Sequence, residues 1–241
     1  MKLIELFRKL IGLFVSLNFI LINNYDYEIL TEGNKMSWIT KEAPLTEEEM
    51  KNNANIIINR FRLMGYDDNT IASILGNMEN ESTINPGRYE SGVGPGYGLI
   101  QWTPKNSLVE HTTNIELSDW DNGDTQLNVV ISELLGEPVE NLSWYTSVGF
   151  IQNYYTSGAT NDMVGITGKQ YLHNEMGWDV NKLTILFMVG RERPSTNPEV
   201  NHIERRQADA RKWLEYMGGS ITPPTTAKRN FWWLYYMKKR F

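Results

Sequence analysis

Between Thr46 and Ser82 the apolar residues recur at helical spacing, and this periodicity constrains the fold more than any other feature of the chain. Thr46 and Glu49 have the spacing of a capping box, which opens a first helix whose apolar residues are Ile56, Ile57, Phe61 and Leu63. Gly65 supplies its stop. A second helix starts near Asp68, carries the stripe Ile71, Ile74, Leu75 and Met78, and ends around Ser82, ahead of Asn85-Pro86-Gly87. Downstream, Thr125–Leu135, Val148–Ser157, Gly168–His173 and Val200–Tyr216 read as helices, the last stopped by Gly218-Gly219. Residues 86–98, with five glycines and two prolines, read as loop or hairpin, and Leu99–Trp102 as a short strand.

The second helix also carries the first chemical candidate. Glu81 lies three, seven and ten residues after Met78, Ile74 and Ile71, so at ~100° per residue it continues the buried stripe. A carboxylate at the mouth of an apolar surface is partly desolvated, which favours the protonated form that a general acid requires. Glu79 points to nearly the opposite face and reads as solvated. A plainer role for Glu81 is to cap its helix or to pair with an arginine such as Arg88. The residues C-terminal to Glu81 favour chemistry. Tyr89 and Tyr97, the glycine-rich loop and the pair Gln101-Trp102 supply aromatic faces, close backbone approach and amide hydrogen bonds, the means by which proteins hold sugars.

Other classes are excluded on composition. The chain has no cysteine, so thiol nucleophiles, disulfides and cysteine-bound zinc are absent, and His111, His173 and His202 are too widely spaced for a zinc motif. No metal or organic cofactor is implied. The alternating glycines from Gly92 to Gly98 come after a helix and turn instead of a strand, against a dinucleotide site. Residues 36–222 are acidic overall, which argues against nucleic acid as a partner.

Gly76-Asn77-Met78-Glu79-Asn80-Glu81-Ser82, Asn85-Pro86-Gly87 and Tyr97-Gly98-Leu99-Ile100-Gln101-Trp102-Thr103 together resemble the lysozyme domain of tail-associated lysins from small short-tailed phages. They are also similar to goose-type lysozymes and lytic transglycosylases, in which Glu-Ser ends a helix and Gly-Leu-x-Gln comes after it. Gln126-Leu127 with Glu133-Leu134, and Glu192-Arg193-Pro194 with Arg206, Ala210 and Trp213, fit the same family, so the resemblance covers roughly residues 46–216. It implies a mainly α, lysozyme-like α+β fold: a helical domain with a short glycine-rich β-hairpin or loop beside the active-site cleft. It further implies Glu81 as catalytic acid, cleavage of the β-1,4 bond between N-acetylmuramic acid and N-acetylglucosamine in bacterial peptidoglycan, and Tyr97 and Gln101 in the sugar groove. Tyr89 and Trp102 are the neighbouring candidates for substrate binding.

Glu90 is the first candidate for a second carboxylate, ahead of Asp119, Asp121 and Asp124; a transglycosylase would need none, so hydrolysis and ring closure both stay open. Glu192-Arg193-Pro194 reads as part of a structural salt bridge, with a place beside the cleft as the alternative. The expected localisation is a phage tail acting on the host wall during entry. The rivals are an endolysin for host lysis and a catalytically inactive wall-binding or structural tail component.

The expected organisation is a leader or translated upstream segment over 1–35, a catalytic domain over 36–220, and a linker with tail over 221–241. The apolar run Leu10–Ile22 is shorter than the ~20 residues that span a bilayer. It reads as a signal-peptide core without an A-x-A-like site, or as sequence upstream of a start at Met36. The tail, Phe231-Trp232-Trp233-Leu234-Tyr235-Tyr236 and then Lys238, Lys239 and Arg240, is aromatic and basic. Docking on another tail protein is the preferred role, against packing on its own domain or contact with a membrane or anionic polymer.

Overall fold

A computed structural model describes residues 36–90, 94–103, 120–136 and 144–219. The N-terminal leader, the C-terminal tail, His111 and Asp119 lie outside the described residues. From Trp38 onward the described residues belong to one structural unit, and it is mainly helical.

Helix α1, Glu47–Leu63, begins at the expected capping box: Thr46 accepts from the Glu49 amide and Glu49 accepts from the Thr46 amide. Its acidic first turn and the arginines of its last turn complement the helix dipole. Helix α2, Asp68–Ser82, is capped by Asp67 and buries eleven of its fifteen residues. No face of α2 is left to water along most of its length, because α1, helix α6 (Val180–Phe187) and helix α8 (Ile203–Tyr216) all pack against it. The stripe Ile71, Ile74, Leu75 and Met78 is fully buried, and each such side chain contributes about 1.5–3 kcal/mol relative to exposure.

The other helices lie close to their expected places. Helix α3 spans Gly123–Leu135 and α5 spans Gly168–Leu172. The expected helix 148–157 is α4, Val148–Asn153, continued by a 3-10 turn at Tyr155–Ser157. The expected helix from Val200 is divided at His202, whose φ of 48° separates α7, Pro198–Asn201, from α8. The break frees the Asn201 carbonyl, which accepts a 2.9 Å hydrogen bond from Arg206 Nε.

Helix α6 and the π-helical turn next to it, Met188–Glu192, have no counterpart in the sequence reading. Leu183, Ile185, Leu186, Phe187, Met188 and Val189 are all buried, so the run lacks the polar face that marks an amphipathic helix.

The strand expected at Leu99–Trp102 is not formed. Among the described residues the segment is a turn, tied by isolated antiparallel bridges between Tyr89 and Tyr97 and between Tyr97 and Trp102. Gln101 with φ of 51° and Gly98 with φ of 79° curl the chain too tightly for extended pairing. A side chain at Gly98 would be strained at this positive φ and would push aside the Gln126 amide, whose oxygen would lie 2.4 Å from its Cβ.

Candidate active site

The end of α2 is built to hold a loop against it. Thr83, in the left-handed conformation, donates its amide to the Glu79 carbonyl and Ile84 donates to the Met78 carbonyl, closing the helix in an αL cap. Ser82 Oγ lies 3.0 Å from the Leu99 carbonyl and accepts from the Asn85 amide at 3.1 Å. The serine beside Glu81 therefore fixes the 97–102 turn next to the helix end. Gln126 on α3 braces the same turn, accepting from the Leu99 amide at 2.8 Å and donating to the Pro86 carbonyl at 2.7 Å.

Between this loop, the end of α2 and the π-turn lies a cleft of about 850 Å³, lined by Glu81, Tyr89, Glu90, Gln101, Trp102 and Glu192 among others. Glu81 has 21% of its side chain exposed and accepts a hydrogen bond from Arg206 Nη2. The arginine expected as a possible partner, Arg88, instead donates to the Glu42 carbonyl at 3.0 Å. Arg206 is 6% exposed and its Nη1 also donates to Glu192 at 2.6 Å and to Asn77 at 2.8 Å. The ion pair expected for Glu192 is thus present, but it forms one cluster with Glu81.

Glu79 is not solvated, contrary to the sequence reading. It is 8% exposed, accepts from the Trp213 indole at 2.7 Å and pairs with Lys212 Nζ at 2.5 Å, because α8 covers the face that α2's own periodicity leaves free. Glu133 on α3 is fully buried; it pairs with Arg191 of the π-turn and accepts from the Trp102 indole at 3.2 Å.

The substrate-binding candidates divide. Tyr89 is 47% exposed and its ring stands 4.6 Å, edge to face, from that of Tyr97. Tyr97 is buried and lines a smaller recess beside Lys41 and Trp120 instead of the main cleft, and burial pushes its hydroxyl well above the ordinary range. Trp102 lines the cleft but is only 4% exposed. Gln101 donates to the Arg88 and Gly98 carbonyls, and its Oε1 is buried with no partner among the described residues. A strained backbone holding an unused acceptor at a cleft is a mark of binding surfaces.

Glu90 lines the cleft with its carboxylate held by the Gly96 amide at 3.0 Å. Asp121 lines the small recess, and Asp124 lies in the first turn of α3, 3.8 Å from Arg60. Among the described residues no cluster of histidine, aspartate and glutamate could hold a metal ion.

Residues 52–217 match the sequence profile of phage tail lysozymes. The chain belongs to the phage tail lysozyme family. The chain is also 30% identical over 184 residues to morphogenesis protein 1 of Bacillus phage B103. That alignment covers 75% of this chain and 43% of the relative, so the chain spans less than half of the relative's length.

Arg191 and Lys212 of this tail lysozyme domain escaped the sequence reading, although a signal for Arg191 existed. Glu133 shares one helical face with Leu127 and Val130, and a carboxylate in phase with such a stripe requires a buried positive partner.

Proposed function

We propose that the domain cleaves the β-1,4 bond between N-acetylmuramic acid and N-acetylglucosamine, with Glu81 as general acid, to open the bacterial wall during phage entry. The observation that carries this reading is the position of Glu81: it lines an open cleft, and Arg206 fixes its carboxyl from a helix 125 residues away in sequence. Glu81 donates its proton to the glycosidic oxygen as the C1–O bond breaks, and positive charge develops on the sugar ring. The carboxylate left behind stabilises that charge, then takes a proton from whichever hydroxyl adds to C1. Tyr89 offers an exposed ring for a sugar face. Glu90, which also lines the cleft, orients a water if the reaction is hydrolysis; if it takes no part, the muramyl 6-hydroxyl closes the ring.

Digestion of purified peptidoglycan by the wild-type chain and by Glu81→Gln tests the proposal, with mass spectrometry of the fragments. Wild type should release muropeptides and Glu81→Gln should lose at least about a hundredfold in rate. Reducing ends identify hydrolysis and 1,6-anhydro ends identify ring closure. Equal rates for the two proteins would remove Glu81 from the mechanism.

A further inference from the structure

We propose that Glu192 is a positioning residue for the reaction: through the guanidinium it shares with Glu81, it sets whether Glu81 carries the proton that the glycosidic oxygen needs. The inference rests on the reading of Glu81 as acid and adds a second carboxyl to it.

The geometry is a buried carboxyl–guanidinium–carboxyl bridge. Arg206 Nη2 donates to Glu81, Nη1 donates to Glu192, and Nε is already committed to the Asn201 carbonyl. Arg206 and Glu192 are 6% and 5% exposed, whereas Glu81 is open to the cleft. One cation facing two carboxylates leaves a buried negative charge unless the pair holds one proton, and burial makes that charge costly. The other groups facing Glu192 do not cancel it. Asn77 on α2 is neutral, and Tyr171 on α5 is fully buried with its hydroxyl pushed well above the ordinary range. Arg191, on Glu192's own turn, is engaged by Glu133 of α3. Burial accordingly raises Glu192 to about 8, with Arg206 and more weakly Arg191 opposing and Glu81 adding to the rise.

At neutral pH the proton therefore rests on Glu192 when the cleft is open. Glu192 Oε1 is buried without a hydrogen-bond partner among the described residues, so nothing fixes the proton there. A sugar seated on Glu81 strips water from the exposed part of its carboxyl and makes the proton worth more on Glu81. One proton leaves Glu192 and one arrives on Glu81; the new charge on Glu192 is met by Arg206 Nη1, and the cluster's net charge is unchanged.

The test is the pH profile of kcat/KM for Glu192→Gln in the full chain, on soluble glycan fragments, beside Glu81→Gln. Glutamine keeps an acceptor for Arg206 but cannot take up the charge. The expected result is an alkaline limb displaced to lower pH by about one unit or more, so that the deficit is about tenfold at pH 7.5 and within about threefold at pH 5.5. A profile that matches wild type, or a loss equal at every pH in a folded variant, overturns the inference. An inactive Glu81→Gln beside an unshifted Glu192→Gln removes this inference alone, whereas an active Glu81→Gln removes the reading beneath it. Infrared titration of the unaltered wild type gives a second measurement: a protonated-carboxyl band persisting at pH 7 and lost near pH 8 is expected, and its absence at pH 7 overturns the inference.

Discussion

Replacing Gly76 by alanine should loosen the contact on which the site depends. Gly76 lies where α2 crosses α8, and a Cβ there would meet the Ala210 amide nitrogen at 2.6 Å, the Ala210 Cβ at 2.7 Å and the Arg206 carbonyl at 2.7 Å. Ordinary contacts begin at 3.4 Å, so the helices must separate by roughly 1 Å. Alanine gains about 1 kcal/mol over glycine in a helix interior. Overpacking costs ~1–3 kcal/mol, and the upper end applies because two of the three atoms are backbone and cannot rotate away. The net loss is about 2 kcal/mol, which for a domain of this size lowers Tm by roughly 4–8 °C. Because Arg206 supplies one of the clashing atoms and also holds Glu81, glycan cleavage should fall by about tenfold or more at a temperature where the variant is still folded. Calorimetry beside a turbidity assay measures the two effects. Gly149→Ala in α4 is the control, since nothing lies within 4 Å of its added Cβ, and its Tm should be unchanged or slightly higher. A Gly76→Ala protein as stable as wild type would refute the close crossing.

Two further perturbations address groups away from Glu81. Glu133→Gln leaves the Arg191 guanidinium, 8% exposed, without its charge partner and should cost ~3–5 kcal/mol, read as a lower urea midpoint at unchanged slope. His173 is held below its ordinary 6.5 by burial, so between that value and its folded one the unfolded chain binds more protons. The stability it contributes is present above pH 6.5 and is lost as pH falls through its folded value. Tm should consequently drop less between pH 7 and pH 5 in His173→Gln than in wild type, and an equal drop would show that His173 is not the group responsible.

The parts of the fold that could be read in advance are those whose reasons are local. The capping box at Thr46 and Glu49, the stripe of α2 and the glycine stop at Gly65 all act within a few residues. The elements that escaped prediction depend on neighbours remote in sequence. Six of the eight residues of helix α6 are buried, and their apolar run fits a strand as well as a helix. The break at His202 exists in company with Arg206, whose Nε takes the carbonyl that an unbroken helix would have used. The expected strand at Leu99–Trp102 failed because Gln126 and Ser82 compete for the backbone groups that a ladder would need.

The same distinction separates the glutamates of the cleft. Periodicity on α2 placed Glu81 in phase with the stripe and Glu79 out of phase, and an isolated helix would have left Glu79 in water. Burial of Glu79 is decided by Lys212 and Trp213 on α8, more than 130 positions away, and no pattern within α2 reports it. Residue type is equally silent, since Glu79, Glu81, Glu133 and Glu192 each meet a cation. The difference is how that cation is shared. Arg191 neutralises Glu133 in a buried, hydrogen-bonded pair, and the part-exposed Lys212 neutralises Glu79 beside Asp209, which suits a structural role. Arg206, itself buried, serves two carboxyls, one buried and one facing the cleft, and a buried bridge short of one positive charge is the arrangement in which a proton can change places.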